Sequence, residues 1–389
     1  MIYFNNAATS WPKFPSTLHA MQYALEKGQV YCGRDTADFL NTEKKIFQLR
    51  ENLGSFFLNA KEPHEICFSS SSTVALDELI LGRAEYLRKK GRLHDGYILC
   101  SDREHNSVMR PLQHLKEAYG IRFVPVKAND GNVRISDVKE ILRRGKKSSP
   151  LFAVFSQVSN VTGDILNAEE LGSFFKDSGI PFILDATQGI GITPVDVEAM
   201  HCSAVAFAGH KGLNGPQGTG AFYIRNGFHI EPILFGGTGH ASSRIDPPVR
   251  LPDSFEVGTP PVHDLIGLAD AVKRIKDITK GSYRDRILHI TQYCHDEIAR
   301  IEGYHVFGQD TKASPILSFV SDKDSPEAVA DYLWLSQKIN CRSGLLCSPM
   351  GVHALGQDSV VRFSFGFYNT VEEVDIAVDA LRRLRKEKL

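Results

Sequence analysis

Long apolar runs are missing from this 389-residue chain; none approaches the ~20 residues that a membrane-spanning helix needs. The opening Met1-Ile2-Tyr3-Phe4-Asn5-Asn6 has neither the basic nor the apolar segment of a signal peptide, so a cytoplasmic protein is expected. Neither sign of charge is in excess. With 45 Lys and Arg against 46 Asp and Glu, the formal net charge is -1, which offers nucleic acid or an anionic membrane no electrostatic handle. The basic clusters Arg143-Arg144-Gly145-Lys146-Lys147 and Arg382-Arg383-Leu384-Arg385-Lys386 are short and read as solvated helix ends. Cysteines number seven, scattered and odd, which argues against a disulfide framework and suits a reducing compartment. Cys341 and Cys347 are close together, but no second Cys/His pair supplies zinc-site spacing, and no metal is expected. Internal repeats and low-complexity segments are absent. No strand leads into a G-x-G-x-x-G turn, which argues against a nicotinamide enzyme.

What remains is an ordinary globular composition, 42% apolar and 23% charged, long enough for two domains. Helix-spaced and strand-like segments alternate through the first two-thirds. Thr42 to Leu58 has apolar residues at helical spacing, Glu65-Ile66-Cys67-Phe68 reads as a strand, and Val74 to Arg88 as a helix. The strand Tyr97–Cys100, helix Val108–Tyr119, strands Phe123–Val126 and Phe152–Phe155, and helix Ala168–Ser178 follow. Two more apolar runs, Pro181-Phe182-Ile183-Leu184 and Ala204-Val205-Ala206-Phe207, complete a series that predicts a mostly parallel sheet covered on both faces. Cys67 and Cys100 fall in these runs and are expected to be buried, inert thiols. From about 226 to 262 the pattern gives way to Gly/Pro-rich sequence, and a non-periodic stretch of that length is usually functional. Leu265 to Ile301 then reads as helical. Strand-like 316–320 and 360–364, with helices near 326–338 and 371–386, predict a smaller α+β domain.

The densest chemistry lies in Ala208-Gly209-His210-Lys211-Gly212-Leu213-Asn214-Gly215-Pro216-Gln217-Gly218. One lysine occupies a glycine-rich turn directly after an apolar run. Upstream, another apolar run ends in Asp185-Ala186-Thr187-Gln188. An amine able to form a Schiff base, with an acid able to hold a pyridinium nitrogen, is what pyridoxal 5'-phosphate (PLP) requires of a protein. Both groups sit where strands end, the usual ligand-binding edge of an α/β sheet. Ser69-Ser70-Ser71-Ser72-Thr73, between a strand and a helix, suits either a phosphate or a helix N-cap.

In this order, DATQ at 185–188, GHKG at 209–212 and GPQGTGAFYIR at 215–225 resemble the class V aminotransferases, and within them the cysteine desulfurase and selenocysteine lyase branch. The resemblance runs from Tyr3-Phe4-Asn5-Asn6-Ala7-Ala8-Thr9 to Val361-Arg362-Phe363-Ser364. It implies the type I fold of PLP-dependent transferases: a large PLP-binding α/β domain over 15–261 and a small α+β domain over 262–389, with segment 1–14 packing nearby. It also implies a homodimer with active sites at the subunit interface.

By the same resemblance Lys211 carries the cofactor and, once freed, serves as base; Asp185 holds the ring nitrogen and Gln188 the ring hydroxyl. Ser72, Thr73 and His210 match phosphate ligands, and Thr259, in Phe255-Glu256-Val257-Gly258-Thr259-Pro260, matches the threonine that reaches the phosphate of a partner subunit. Ala208 stands where the family often has Ser or Thr. His105 matches the histidine over the ring face, and Asn160 an asparagine near ring hydroxyl and substrate. In Arg342-Ser343-Gly344-Leu345-Leu346-Cys347, Arg342 matches the residue for the substrate carboxylate and Cys347 the desulfurase nucleophile. The implied reaction converts L-cysteine to L-alanine, with sulfur passing through a Cys347 persulfide to an acceptor protein. Histidine often precedes this cysteine in the branch, whereas Leu345-Leu346 stand here; apolar neighbours disfavour a thiolate and remove a proton relay. The alternatives are a selenocysteine lyase, an aminotransferase or C–S lyase that does not use Cys347, and, least supported, a non-catalytic sulfur-transfer module.

Overall fold

The computed structural model describes residues 1–27, 37–129, 132–145, 148–238, 245–279, 282–308 and 314–387. Cys32, Lys146, Lys147 and Gly239 lie outside them.

Seven strands build the main sheet: β1 (Ile66–Ser69), β2 (Gly96–Ser101), β3 (Phe123–Val126), β4 (Ser149–Ser156), β5 (Phe182–Asp185), β6 (Ala204–Ala208) and β7 (Gly220–Ile224). Their spatial order is β1-β7-β6-β5-β4-β2-β3, and only β7 runs antiparallel to its neighbours. Alternate strand residues serve two different cores. Leu99, Phe155, Leu184, Val205 and Tyr223 pack in one; Ile98, Val154, Ile183, Ala206 and Phe222 pack in the other. The second core is covered by the helices Ser72–Lys89 and Asn106–Tyr119, through Leu76, Leu79, Val108 and Leu112. The first is covered in part by Ala168–Asp177, through Leu171 and Phe175. Burial on both sides is why these strands read as unbroken apolar runs. Each such side chain contributes ~1.5–3 kcal/mol over exposure, enough collectively to fix the register on which the site depends. Cys67 and Cys100 are buried, as expected.

A second, antiparallel sheet has β8 (Tyr304–Phe307), β9 (Ile316–Ser321), β10 (Arg342–Gly344) and β11 (Val360–Ser364) in the order β8-β9-β11-β10. The chain start joins it. Ile2–Tyr3 pairs in parallel with Ile339–Asn340, Ser364 N donates to Phe4 O at 2.8 Å, and Asn6 Nδ2 donates to Ser364 O at 3.1 Å.

Several elements differ from expectation. The helix expected over Leu265–Ile301 is two, Val262–Thr279 and Tyr283–Ala299. The helix expected to reach Leu58 ends as an α-helix at Asn52 and continues as a wider π-helical turn, Leu53–Leu58. β7 is not among the expected strands; it directly follows the glycine-rich Gly215-Pro216-Gln217-Gly218. The helices Pro15–Glu26 and Ile135–Arg144 and strand β8 were also not anticipated. Among the described residues, no helix is long and apolar enough to cross a membrane, and no group of His, Cys, Asp or Glu is arranged to hold a metal ion.

Candidate active site

The register of the parallel strands brings Ser156, Asp185 and Ala206 level with one another. The loops after β2, β4, β5 and β6 therefore leave the same edge, carrying His105, Asn160, Gln188 and Lys211. Lys211 sits in a turn closed by Asn214 N on Lys211 O at 2.8 Å and Gly215 N on Gly209 O at 2.8 Å. Glycine is required at 212, since a Cβ there would stand 2.1 Å from Ile190 O. Burial lowers the Lys211 amine to about 8, helped by the positive charges of Arg362 and Arg342 and opposed by Asp185 and Cys347. An amine so shifted exchanges protons readily near neutral pH. Asp185 ends β5 with its carboxylate buried; Oδ1 accepts from Thr187 N at 2.9 Å. Burial raises its pKa, opposed by the Thr187 hydrogen bonds and by Lys211.

His105 caps the helix Asn106–Tyr119, Nδ1 accepting from Ser107 N at 3.0 Å. Burial lowers its pKa to about 4, with Lys211, Arg342 and Arg362 acting in the same direction, so the ring is neutral at physiological pH. The helix cap engages Nδ1 and leaves Nε2 out of it.

The loop that carries Cys347 is tightly fastened. Cys347 O accepts from Asn106 N at 2.9 Å, Leu346 O from Asn160 Nδ2 at 2.8 Å, and Ser348 Oγ donates to Glu104 O at 3.0 Å. Leu346 is buried with Val161, Val320, Val352 and Val360. Leu346 and Cys347 both hold left-handed backbone, at φ 54° and 59°, which aims the exposed thiol back toward β10. There Arg342 Nη2 lies 3.1 Å from Cys347 Sγ.

A second guanidinium was not singled out from sequence. Arg362, in the middle of β11, is 1% exposed; Nη1 donates to Asn160 O at 2.8 Å and Nη2 to Asn5 Oδ1 at 3.2 Å, while Nε has no partner. Among the described residues no carboxylate pairs with it. Burial and the Arg342 charge push it down to about 9. The available signal was an arginine within the apolar run Val360-Val361-Arg362-Phe363. Glu104 was also passed over. It is wholly buried and held by Ser101 Oγ and Ser156 Oγ, each at 2.6 Å.

Other expected residues are placed more loosely. Gln188 donates to Ala7 O at 3.0 Å and, with Lys211, lines a cavity of about 30 Å³ with Asn6 and Ser364. Ser71, not Ser72, caps the helix Ser72–Lys89, accepting from Val74 N at 3.2 Å. Ser72 is buried and Thr73 exposed. Strand β7 passes so close that a Cβ on Gly220 would meet Ser71 at 2.5 Å. His210 turns its ring to Thr9 Oγ1, 3.0 Å from Nδ1. Thr259 is exposed and borders a different cavity, of about 260 Å³, together with Ser69, Ser70 and Glu78. Its segment is fastened by Glu256, which pairs with Arg50 and accepts from Phe68 N at 2.6 Å.

Residues 2–377 match the family model of the aminotransferases of class V. The chain belongs to that family. It is 33% identical to a probable cysteine desulfurase of Pyrococcus abyssi, over 99% of this chain and 94% of that protein. It is likewise similar to the apo structure of a cysteine desulfurase from Thermococcus onnurineus NA1, with a TM-score of 0.88, 30% identity, and coverage of 99% and 95% of the two chains. The Escherichia coli cysteine desulfurase CsdA shares the fold, with a TM-score of 0.86 at 23% identity, covering 99% and 94%. These solved neighbours agree with the type I α/β fold expected above.

The residues at this class V site fit a pyridoxal phosphate. A buried amine and a buried acid from adjacent strand ends act on each other's charge. A neutral imidazole and a helix N-terminus approached by β7 complete the set. Arg362 is a desolvated guanidinium with no carboxylate partner among the described residues, and an anionic group would offset the cost of its burial.

Proposed function

We propose that this chain is a PLP-dependent cysteine desulfurase that converts L-cysteine to L-alanine and leaves the sulfur on Cys347. The observation that carries the reading is the approach of Arg342 to the Cys347 thiol, 3.1 Å, beside Lys211 and the unpaired Arg362. When bound, PLP withdraws electrons from the substrate Cα, supplying the chemistry that no side chain can. The protein's groups do the rest. Lys211 holds the cofactor, and its amine, lowered to about 8, takes the Cα proton. Asp185 would hold the ring nitrogen and Gln188 the ring hydroxyl; Ser72, Thr73 and His210 would serve the phosphate. His105 would lie over the ring face, and Asn160 fixes the Cys347 loop through Leu346 O.

Arg362 takes the substrate carboxylate, because among the described residues it is a buried guanidinium with no carboxylate partner. Sequence reasoning gave this role to Arg342; in the present reading Arg342 favours the thiolate of Cys347 instead. The thiolate attacks the substrate sulfur, an S–S bond forms as the C–S bond breaks, and its electron pair stays with carbon. One proton returned to that carbon and one to Cα give alanine, and Cys347 is left as a persulfide for a thiol acceptor.

Thr259 lies on a stretch whose Leu234, Phe235, Ile245 and Val249 expose large apolar surfaces; such a patch supports burial against a second copy of the chain. The six described cysteines are free thiols, which supports a reducing compartment such as the cytoplasm. The two sheets support the division near 261, with segment 1–14 on the smaller part.

A second reading, selenocysteine lyase, draws on Leu345-Leu346: with no imidazole before Cys347, a more acidic selenol asks less of the loop. Alanine release from L-cysteine, with and without a thiol reductant, tests the choice in wild type and Cys347→Ala. Release that needs reductant for turnover and collapses in the variant is expected. Equal release by both proteins removes Cys347 from the mechanism; alanine only from L-selenocysteine selects the lyase.

A further inference from the structure

The carbonyl oxygen of His210, one peptide before Lys211, is surrounded by donors from the N-terminal segment. Ser10 N lies at 3.0 Å, Ser10 Oγ at 2.9 Å, Lys13 Nζ at 3.0 Å and Thr9 Oγ1 at 3.3 Å. A carbonyl oxygen has two lone pairs, so this is more donation than one peptide needs. Lys13 Nζ also donates to Ser10 Oγ at 2.7 Å, which orients the hydroxyl toward the same oxygen. Thr9 Oγ1 holds the His210 ring. Asn214 N holds the carbonyl of Lys211 itself. Both peptides that flank Lys211 are therefore pinned, one by its own turn and the other by residues about 200 positions earlier.

Lys13 is an odd choice for packing. It is half-buried, no carboxylate among the described residues pairs with it, and burial lowers its amine to about 7. An apolar side chain would fill the space without the desolvation cost. The amine donates N–H bonds in either protonation state, so the contact with His210 O survives loss of its charge.

We propose that Lys13, through Ser10 and the carbonyl of His210, is a positioning residue that fixes the backbone from which Lys211 reaches the cofactor. The proposal rests on the reading of Lys211 as the PLP lysine, and its test separates the two. Hydrogen–deuterium exchange of peptides covering 209–215 is compared in cofactor-free wild type, Lys13→Met and Lys13→Arg. The visible absorption of each PLP-loaded protein is then titrated with pH, and PLP loss on dialysis is followed. The expected result is at least tenfold faster exchange in 209–215 for Lys13→Met, with the rest of the chain unchanged. Tenfold faster PLP loss and a displaced midpoint of the visible band accompany it, and Lys13→Arg recovers most of each effect. Wild-type exchange, spectrum and PLP retention in Lys13→Met overturn the proposal. So does exchange raised uniformly along the chain, which is plain destabilisation. A Lys13→Met chain that does not fold leaves Ser10→Ala, which removes one of the bonds and must loosen 209–215 alone. If borohydride fixes no PLP to Lys211 in wild type, the cofactor reading fails, while the exchange comparison still decides the clamp.

Discussion

Two guanidiniums stand opposite each other across β10 and β11, and their surroundings support different roles for them. Arg342 stands against a sulfur; Arg362 is buried among carbonyl and amide oxygens with an unpartnered Nε. A charge-assisted contact to a carboxylate is worth ~1.5–3 kcal/mol, so Arg362→Gln raises the KM for L-cysteine by roughly 10–100-fold at 1.4 kcal/mol per decade. Arg342→Gln leaves KM within a few-fold and slows alkylation of Cys347 by iodoacetamide at fixed pH. The reverse pattern in steady-state and alkylation rates returns the carboxylate to Arg342. Lys211 and Asp185 were visible in sequence because each follows or closes a recognisable apolar run, and Cys347 through the family resemblance alone. Arg362 was not, because it lies inside one. Its neighbours Val361 and Phe363 face the core, and alternation along β11 turns Arg362 to the opposite side. That distinction needs the strand's partner to be known.

At the scale of elements, the turn after β6 carries Lys211, the amine proposed to hold the cofactor, and has no slack. A methyl group at 212 would meet the backbone oxygen of Ile190 at 2.1 Å, and a backbone atom cannot rotate away as a side-chain tip can. Gly212→Ala therefore shifts the turn at a cost of ~1–3 kcal/mol. The expected outcome is a lower melting temperature and loss of most borohydride-fixed PLP on Lys211. Gly237→Ala, which meets nothing within 4 Å, is the control. Full PLP fixation in Gly212→Ala would show that the turn tolerates displacement. The parallel strands were legible as apolar runs because both faces are buried. Strand β7 was hidden behind Gly215-Pro216-Gln217-Gly218, although its five residues Gly220–Ile224 are all buried. It reverses direction to fill the gap between β1 and β6, and pairing of that kind is set by space rather than by local pattern.

For the molecule as a whole, the polar groups of the site are loads borne by the two apolar cores, and they respond to pH with opposite signs. Burial lowers His105 and His210 to about 4. The unfolded chain binds protons there up to its ordinary value of 6.5, so stability from the neutral rings is lost as pH falls from about 6.5 toward 4. Burial raises Glu104 to about 7 from 4.5, opposed by hydrogen bonds from Ser101 and Ser156. The folded state keeps that proton longer, so its contribution is complete below about 4.5 and disappears as pH rises through 7. The two trends overlap and partly cancel in wild type, which hides both in a single stability curve. Glu104→Gln separates them, since the amide cannot ionise. Urea midpoints measured at pH 4.5, 5.5 and 7 are expected to show wild type losing stability relative to the variant as pH rises. Parallel midpoints would mean that burial does not raise Glu104 above its ordinary value. Asp185 shares the environment, for its charge is among the influences that raise Glu104. A proton kept on Glu104 therefore removes one negative charge from the surroundings of Asp185.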